Sequence, residues 1–224
     1  MSADTAIQVF LVYPTSLSLE GLSPEECIRA EKLLNPSQRI AFASAHRNLR
    51  KLISKIVGTT STSLIFDTAQ TGKPLCTSHP DIRFNLSHTH GAVAIAISEE
   101  RAVGIDIEAI RPLPELDGMI ASVATKYEFE ELQNLTTADC LQAFYKLWTA
   151  KESIVKANGI GLSLDLRTLN LGTPVAADKQ KGIRFSSDAL GEYHWCAFDV
   201  DPGFSGSLAW SGGPAHISLR VLPD

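Results

Sequence analysis

Apolar residues recur along the chain with two periods, one near two residues and one near 3.6. Residues 6–13 carry a dense apolar run ended by Pro14, which reads as a first strand. Pro24 opens a short helix to about residue 34, and Asn35-Pro36-Ser37 breaks it and caps the next. That next helix is predicted over 37–57, with an apolar stripe of Phe42, Ala45, Leu49, Leu52, Ile53 and Ile56 and a stop at Gly58. A separate i, i+4, i+8 stripe holds Arg47, Lys51 and Lys55. A short strand at 64–67 precedes a turn at Thr71-Gly72-Lys73-Pro74.

Period-two patterning then predicts strands at 82–86, 92–98 and 102–108, the first two joined by Ser87-His88-Thr89-His90-Gly91. Arg111-Pro112-Leu113-Pro114 is a stiff connection, followed by helices at 116–122, 126–134 and 138–158, the last ended by Gly159. From 163 to 222 the chain is strand-rich, with Asp201-Pro202-Gly203 as a hairpin turn. Arg47, Arg50, Lys51 and Gly58 share their spacing with Trp148, Lys151, Glu152 and Gly159, an offset of 101 residues. This faint repeat agrees with an α+β fold of two similar halves about a pseudo-two-fold axis, 1–104 and 105–224, with a site at their junction.

At 224 residues the chain has ample length for a core, and 44% hydrophobic with 20% charged residues is ordinary for a globular protein. No apolar run is long enough to span a bilayer, and Met1–Thr5 lacks a signal-peptide pattern, so no membrane role is expected. The dispersed Cys27, Cys76, Cys140 and Cys196 read as reduced thiols of a cytoplasmic protein. A net charge of −5 argues against a general nucleic-acid binder. Between Glu31 and Asp67, however, no acid interrupts Lys32, Arg39, Arg47, Arg50, Lys51 and Lys55, which suggests a local anion site beside the plainer reading of a solvated helix face.

Two groups of residues carry the candidate chemistry. On the strand at 102–108, Asp106 and Glu108 project to one face while Ile105 and Ile107 pack behind them. On the helix at 138–158, Trp148, Glu152 and Lys156 share one i, i+4, i+8 row, with Lys151 beside them. Three carboxylates near lysines suit a hard divalent cation that holds a phosphorylated substrate. Each part alone has a bland reading, as a solvated strand end or as surface ion pairs. Ser87, His88 and Asp106 invite a hydrolase triad, but no Gly-x-Ser-x-Gly elbow surrounds the serine and adjacent strand residues diverge. His88 is read instead as a phosphate contact or a structural histidine, and Lys73 as a turn lysine or a phosphate contact.

The ordered set of motifs resembles the surfactin-type 4′-phosphopantetheinyl transferases. It comprises Gly72-Lys73-Pro74, Phe84-Asn85-Leu86-Ser87-His88, Gly104-Ile105-Asp106-Ile107-Glu108, Trp148-x-x-Lys151-Glu152-Ser153-x-x-Lys156 and Gly159-x-Gly161-Leu162-Ser163. With Ala45-His46-Arg47 and the hairpin at Asp201, the likeness covers nearly the whole chain. It implies a pseudo-dimeric α+β fold with coenzyme A between the halves. By the same resemblance, Asp106, Glu108 and Glu152 are magnesium ligands, and Lys151 and Lys156 lie near the diphosphate. Lys73, Ser87 and His88 are further coenzyme A contacts, Arg47 meets the adenosine 3′-phosphate, and Glu128 lies near the metal.

The expected reaction is attack by a serine of an apo acyl or peptidyl carrier protein on the β-phosphorus of coenzyme A, with 3′,5′-ADP leaving. Glu152, or a water it orients, is the expected proton acceptor, and Lys156 the group that assists the leaving phosphate. Leu113, Leu116, Met119, Ile120 and Val123 could form an apolar docking edge for the carrier or equally turn into the core. The alternatives are a magnesium-dependent phosphoanhydride hydrolase and a non-catalytic carrier-binding module. The internal repeat makes a monomer the natural expectation.

Overall fold

The computed structural model describes residues 6–161, 164–172, 182–187, 190–198 and 200–224. The fold grows from two helices of equal length. Helix α1 (Pro24–Lys32) leads into α2 (Pro36–Val57), 22 residues whose first N–H groups are capped by the Asn35 side chain and whose end is Gly58 at φ 69. After α3 (Leu116–Val123) and α4 (Lys126–Gln133), α5 (Thr137–Asn158) repeats the pattern: 22 residues ended by Gly159 at φ 85. Both glycine stops lie where the helical periodicity fails.

Ten strands accompany them among the described residues. They are β1 (Ile7–Val12), β2 (Phe66–Thr68), β3 (Pro74–Cys76), β4 (Ile82–Thr89), β5 (Ala92–Glu99), β6 (Val103–Ala109), β7 (Ile183–Ser187), β8 (Gly191–Ala197), β9 (Phe204–Ser211) and β10 (Ile217–Leu222). One sheet has the order β10-β1-β5-β4 and the other β6-β9-β8-β7, while β2 and β3 form a separate hairpin. The last strand, β10, pairs in parallel with β1, so the C-terminal end of the chain completes the N-terminal sheet. A division at 104/105 falls inside β6.

The apolar stripe of α2 covers one face of the first sheet, where Ala41, Ala45, Leu49 and Ile53 meet Phe10, Val12, Phe84, Val93, Ile95 and Ile97, while Phe42 lies against the His46 ring and under Arg29. The opposite face, with Ile7, Val9, Leu11, Ala94 and Ala96, packs against Val103, Ile105, Ile107, Leu208 and Trp210 of the second sheet. Helix α5 covers the far side of that sheet through Ala150, Ile154 and Val155 against Trp195 and Ala209. The order is therefore helix, sheet, sheet, helix. Ile105 and Ile107 face the inter-sheet core, so Gly104, Asp106 and Glu108 face α5.

One predicted loop is strand. Ser87, His88 and Thr89 continue β4, paired with Ala94, Val93 and Ala92, and only His90-Gly91 remains as the turn. The polar run looks like a loop because its hydroxyls serve a neighbour: β6 is an edge strand, and β4 side chains cover its open edge. Asn85 Oδ1 accepts from Ile105 N–H at 2.8 Å, Ser87 Oγ from Ile107 N–H at 3.4 Å and Thr89 Oγ1 from Ala109 N–H at 3.3 Å. The predicted apolar docking edge is mostly core: Ile120 and Val123 are buried, and Leu113, Leu116 and Met119 pack partly against the same cluster around Phe144.

Candidate active site at the junction of β4, β6 and α5

Gly104 sets how closely α5 approaches β6. A Cβ there would stand 2.1 Å from the Ser153 carbonyl oxygen and 2.2 Å from Ala157 N, both helix backbone atoms. With the helix pressed onto the strand, its Glu152 and Lys156 row lies over Asp106. Lys156 Nζ donates to Asp106 Oδ1 at 2.6 Å and to Ser87 Oγ at 3.3 Å, and Ser87 Oγ donates to the same carboxylate oxygen at 2.8 Å. Thr89 Oγ1 donates to Glu108 Oε2 at 3.2 Å. Asp106 Oδ2 is buried and has no hydrogen-bond partner among the described residues.

The electrostatics tie the carboxylates together. Burial pushes the Glu108 carboxyl above its ordinary range, and the charge of Asp106 adds to the rise. Glu152 is raised first by burial and then by Asp106, against the opposing pull of Lys156. Among the described residues no three His, Cys, Asp or Glu side chains are gathered into a ready-made metal centre. The donor set nevertheless fits a magnesium ion: one buried carboxylate oxygen lacks a partner, and two neighbouring carboxyls are destabilised as anions. Magnesium needs only one or two carboxylates besides water and phosphate oxygens. Like charges raise the cost of ionising these acids together, and Lys156, with Arg111 acting on Glu108, offsets part of it.

A cavity of about 590 Å³ opens on the α2 side of the first sheet, lined among others by Arg29, His46, Phe66, Pro74, Phe84 and Leu86. Its lining does not reach the carboxylates. His88 does not line the cavity; burial first, then the charges of His46 and Lys156, holds its imidazole below the ordinary range. Beneath the cavity, the Glu26 carboxylate accepts from Arg50 Nε at 2.6 Å and from Ser23 N–H at 2.8 Å, with His46 Nδ1 at 3.0 Å. Arg50 also lies over the Phe66 ring, 4.9 Å from its centroid.

The structure brings Ser87, Asp106, Glu152 and Lys156 together with Glu108 and His88 close by. It does not bring the other candidates there. Lys151 is fully buried, with Nζ donating to Glu128 Oε2 at 2.6 Å, Val123 O at 2.8 Å and Leu166 O at 3.1 Å. It is one residue out of the Glu152–Lys156 row, and the helical turn of about 100° per residue takes it into the core, away from any diphosphate. Glu128 is buried with it and accepts from Thr125 N–H and Leu171 N–H, both at 2.8 Å, so it is a structural anchor instead of a neighbour of the metal. Lys73 gives its ammonium to three backbone carbonyls, which leaves none of its three N–H groups for a phosphate. Arg47 donates to Asp224 Oδ1 at 3.3 Å and is absent from the cavity lining. Leu162 and Ser163 of the last motif lie outside the described residues. Sequence reasoning includes Asn85 in the motif at 84–88 without a role for its side chain and passes over Arg29, Glu26 and the covering role of Thr89; of these three only Glu26 carries a signal, as the fourth residue of the capping box Ser23-Pro24-Glu25-Glu26.

Residues 102–207, which include β6 and α5 and end within β9, match the family model of the 4′-phosphopantetheinyl transferase superfamily. Over 195 residues, 82% of this chain and 84% of the relative, the chain is 30% identical to the 4′-phosphopantetheinyl transferase Sfp of Bacillus subtilis. The chain belongs to the 4′-phosphopantetheinyl transferase family. It is also 30% identical over 145 residues to the 4′-phosphopantetheinyl transferase HetI of Nostoc sp., covering 63% of this chain and 61% of that protein. With the L-aminoadipate-semialdehyde dehydrogenase-phosphopantetheinyl transferase of Mus musculus it shares 25% identity over 211 residues, 82% of this chain and 68% of the relative. The matched segment holds Asp106, Glu108, Glu152 and Lys156, whereas the cavity residues precede it.

Proposed function

We propose that this phosphopantetheinyl transferase moves the 4′-phosphopantetheine group of coenzyme A onto a serine hydroxyl of an apo carrier protein and releases 3′,5′-ADP. One observation carries the reading: buried Asp106 has one oxygen held by Lys156 and Ser87 and the other unpartnered, between two carboxyls that burial raises. Asp106, Glu108 and Glu152 would hold magnesium, which supplies charge neutralisation on the diphosphate oxygens. Glu152, or a water it orients, accepts the serine proton as the hydroxyl oxygen bonds to the β-phosphorus. The bond from that phosphorus to the bridging oxygen breaks, and Lys156 stabilises the charge gathering on the departing phosphate. His88 and Ser87 orient the phosphates from β4.

The cavity supports placing the nucleotide end of coenzyme A in the half 1–104 and the diphosphate in the half 105–224, because every residue lining it precedes 104. Four free cysteines, three of them buried, suit a reducing cytoplasm. No helix among the described residues is long and apolar enough to cross a membrane. We read the protein as a monomer, since both packed sheets, β10 on β1 included, come from one chain.

The test is incubation with coenzyme A, magnesium and an apo carrier protein, read by intact mass. A gain of one phosphopantetheine on the carrier is expected, lost with a chelator. Coenzyme A hydrolysis without carrier modification would select the hydrolase and overturn the proposal. Glu152→Gln is expected to keep coenzyme A binding and lose most turnover.

A further inference from the structure

The two elements that carry the carboxylates and the lysine are also joined at a second point, by a side chain from a third element. The β2–β3 hairpin turns through Ala69–Lys73, where Ala69 N–H donates to Lys73 O at 2.9 Å and Gly72 N–H to Ala69 O at 2.8 Å. From this turn the Lys73 ammonium reaches Lys156 O at 2.7 Å, Ala157 O at 2.9 Å and Val103 O at 3.0 Å. Lys156 and Ala157 lie in the last turn of α5, where carbonyls have no partner further along the helix and the dipole is negative. Val103 opens β6 three positions before Asp106, on the same open edge that Asn85, Ser87 and Thr89 cover. The lysine stem lies along the helix stop: a Cβ on Gly159 would be 3.3 Å from Lys73 Cδ.

We infer that Lys73 is a positioning residue for the transfer reaction, fixing the C-terminal turn of α5 on β6 and thereby the placement of Lys156 over Asp106. An ammonium has three N–H donors and all three are engaged, two by the helix and one by the strand. The hairpin thus acts as a clip across the junction, and the residue whose carbonyl it holds, Lys156, is the one whose side chain meets Asp106. The inference rests on the transferase reading, since it concerns the rate of that reaction.

Lys73→Arg separates this role from a phosphate contact. Arginine binds phosphate at least as well as lysine, but its planar fork does not converge on three carbonyls. The expected result is an unchanged calorimetric Kd for coenzyme A, a similar KM, and a kcat lowered by about tenfold or more. Hydrogen exchange of the amides in 153–159 and 103–106 should be faster than in the wild type. Lys73→Met, which lacks all three donors, should show the same exchange pattern. A weakened Kd with kcat and exchange retained overturns the inference and makes Lys73 a phosphate ligand. Failure of both variants to fold overturns it as well, because the residue would then have no effect on turnover separable from stability. A wild-type protein that modifies no carrier would remove the transferase reading, while the exchange comparison would still decide whether Lys73 clips the helix to the strand.

Discussion

Lys156 Nζ stands 2.6 Å from Asp106 Oδ1, so a helix cation and a strand anion meet across the junction before any substrate arrives. The contact depends on backbone geometry at Gly104 and at the end of α5 as much as on the two side chains. Lys156 remains about one-third exposed, whereas Asp106 is nearly closed off. Its ammonium can therefore turn toward a phosphate without leaving the site.

Lys156→Met is expected to fold, to bind coenzyme A, and to lose about 100-fold in kcat, the usual effect of removing a preorganised charge from developing negative charge. Single-turnover transfer to an apo carrier measures this. A variant within twofold of wild type would remove Lys156 from the mechanism.

Gly104→Ala has no room for its methyl group. The atoms it would meet, Ser153 O and Ala157 N, are helix backbone, so no side chain can turn aside and α5 must lift from β6. The expected cost is about 3 kcal/mol in chemical denaturation, at the upper end of overpacking effects, with transfer activity falling in step with the displaced Lys156. Gly118→Ala in α3 is the control: nothing lies within 4 Å of its Cβ, and a change between zero and about 1 kcal/mol of stabilisation is expected.

Much of this arrangement was legible in the sequence, and the parts that were not share a cause. Asn35, Gly58 and Gly159 marked helix ends because caps are local chemistry. The period of two placed Asp106 and Glu108 on one face, and the period of 3.6 placed Glu152 and Lys156 in one row. Ser87 to Thr89 looked like a loop because their partners are N–H groups of β6, some twenty residues away. The parallel pairing of β10 with β1 joins opposite ends of the chain and leaves no local trace. A lysine in a motif does not reveal what its ammonium touches, so Lys73 reads as a turn lysine or a phosphate contact and Lys151 as a phosphate neighbour. Carbonyls hold the first, and Glu128 with two carbonyls holds the second.

The Glu26 site should show itself as acid sensitivity. Burial alone would raise this carboxyl, yet the bonds from His46, Arg50 and the Ser23 N–H bring it down to about 2. A carboxyl with a lowered folded pKa stabilises above the unfolded value of about 4.3 and loses that contribution as pH falls toward the folded one. Denaturation midpoints should therefore drop between about pH 4.5 and 2 in the wild type, with a shallower slope in Glu26→Gln. At neutral pH Glu26→Ala is expected to cost about 3 kcal/mol, because the buried Arg50 loses its anion. Equal acid slopes in wild type and Glu26→Gln would dissociate the pair from acid stability.

Lys151 and Glu128 give the sharpest contrast between a motif residue's resemblance and its surroundings. Both side chains are completely buried and 2.6 Å apart, and the lysine also ties together Val123 at the end of α3 and Leu166. Removing one partner leaves an uncompensated charge in the core, so Lys151→Met is expected to destabilise by about 4 kcal/mol. Lys151→Met combined with Glu128→Gln should recover part of that loss, since no ion then remains to be buried, and a double-mutant cycle from urea denaturation measures the coupling. Under conditions where the double variant is folded, its Kd for coenzyme A should match wild type, because neither side chain reaches the surface. A large loss of coenzyme A affinity in a folded double variant, with no coupling between the single changes, would return Lys151 to the diphosphate.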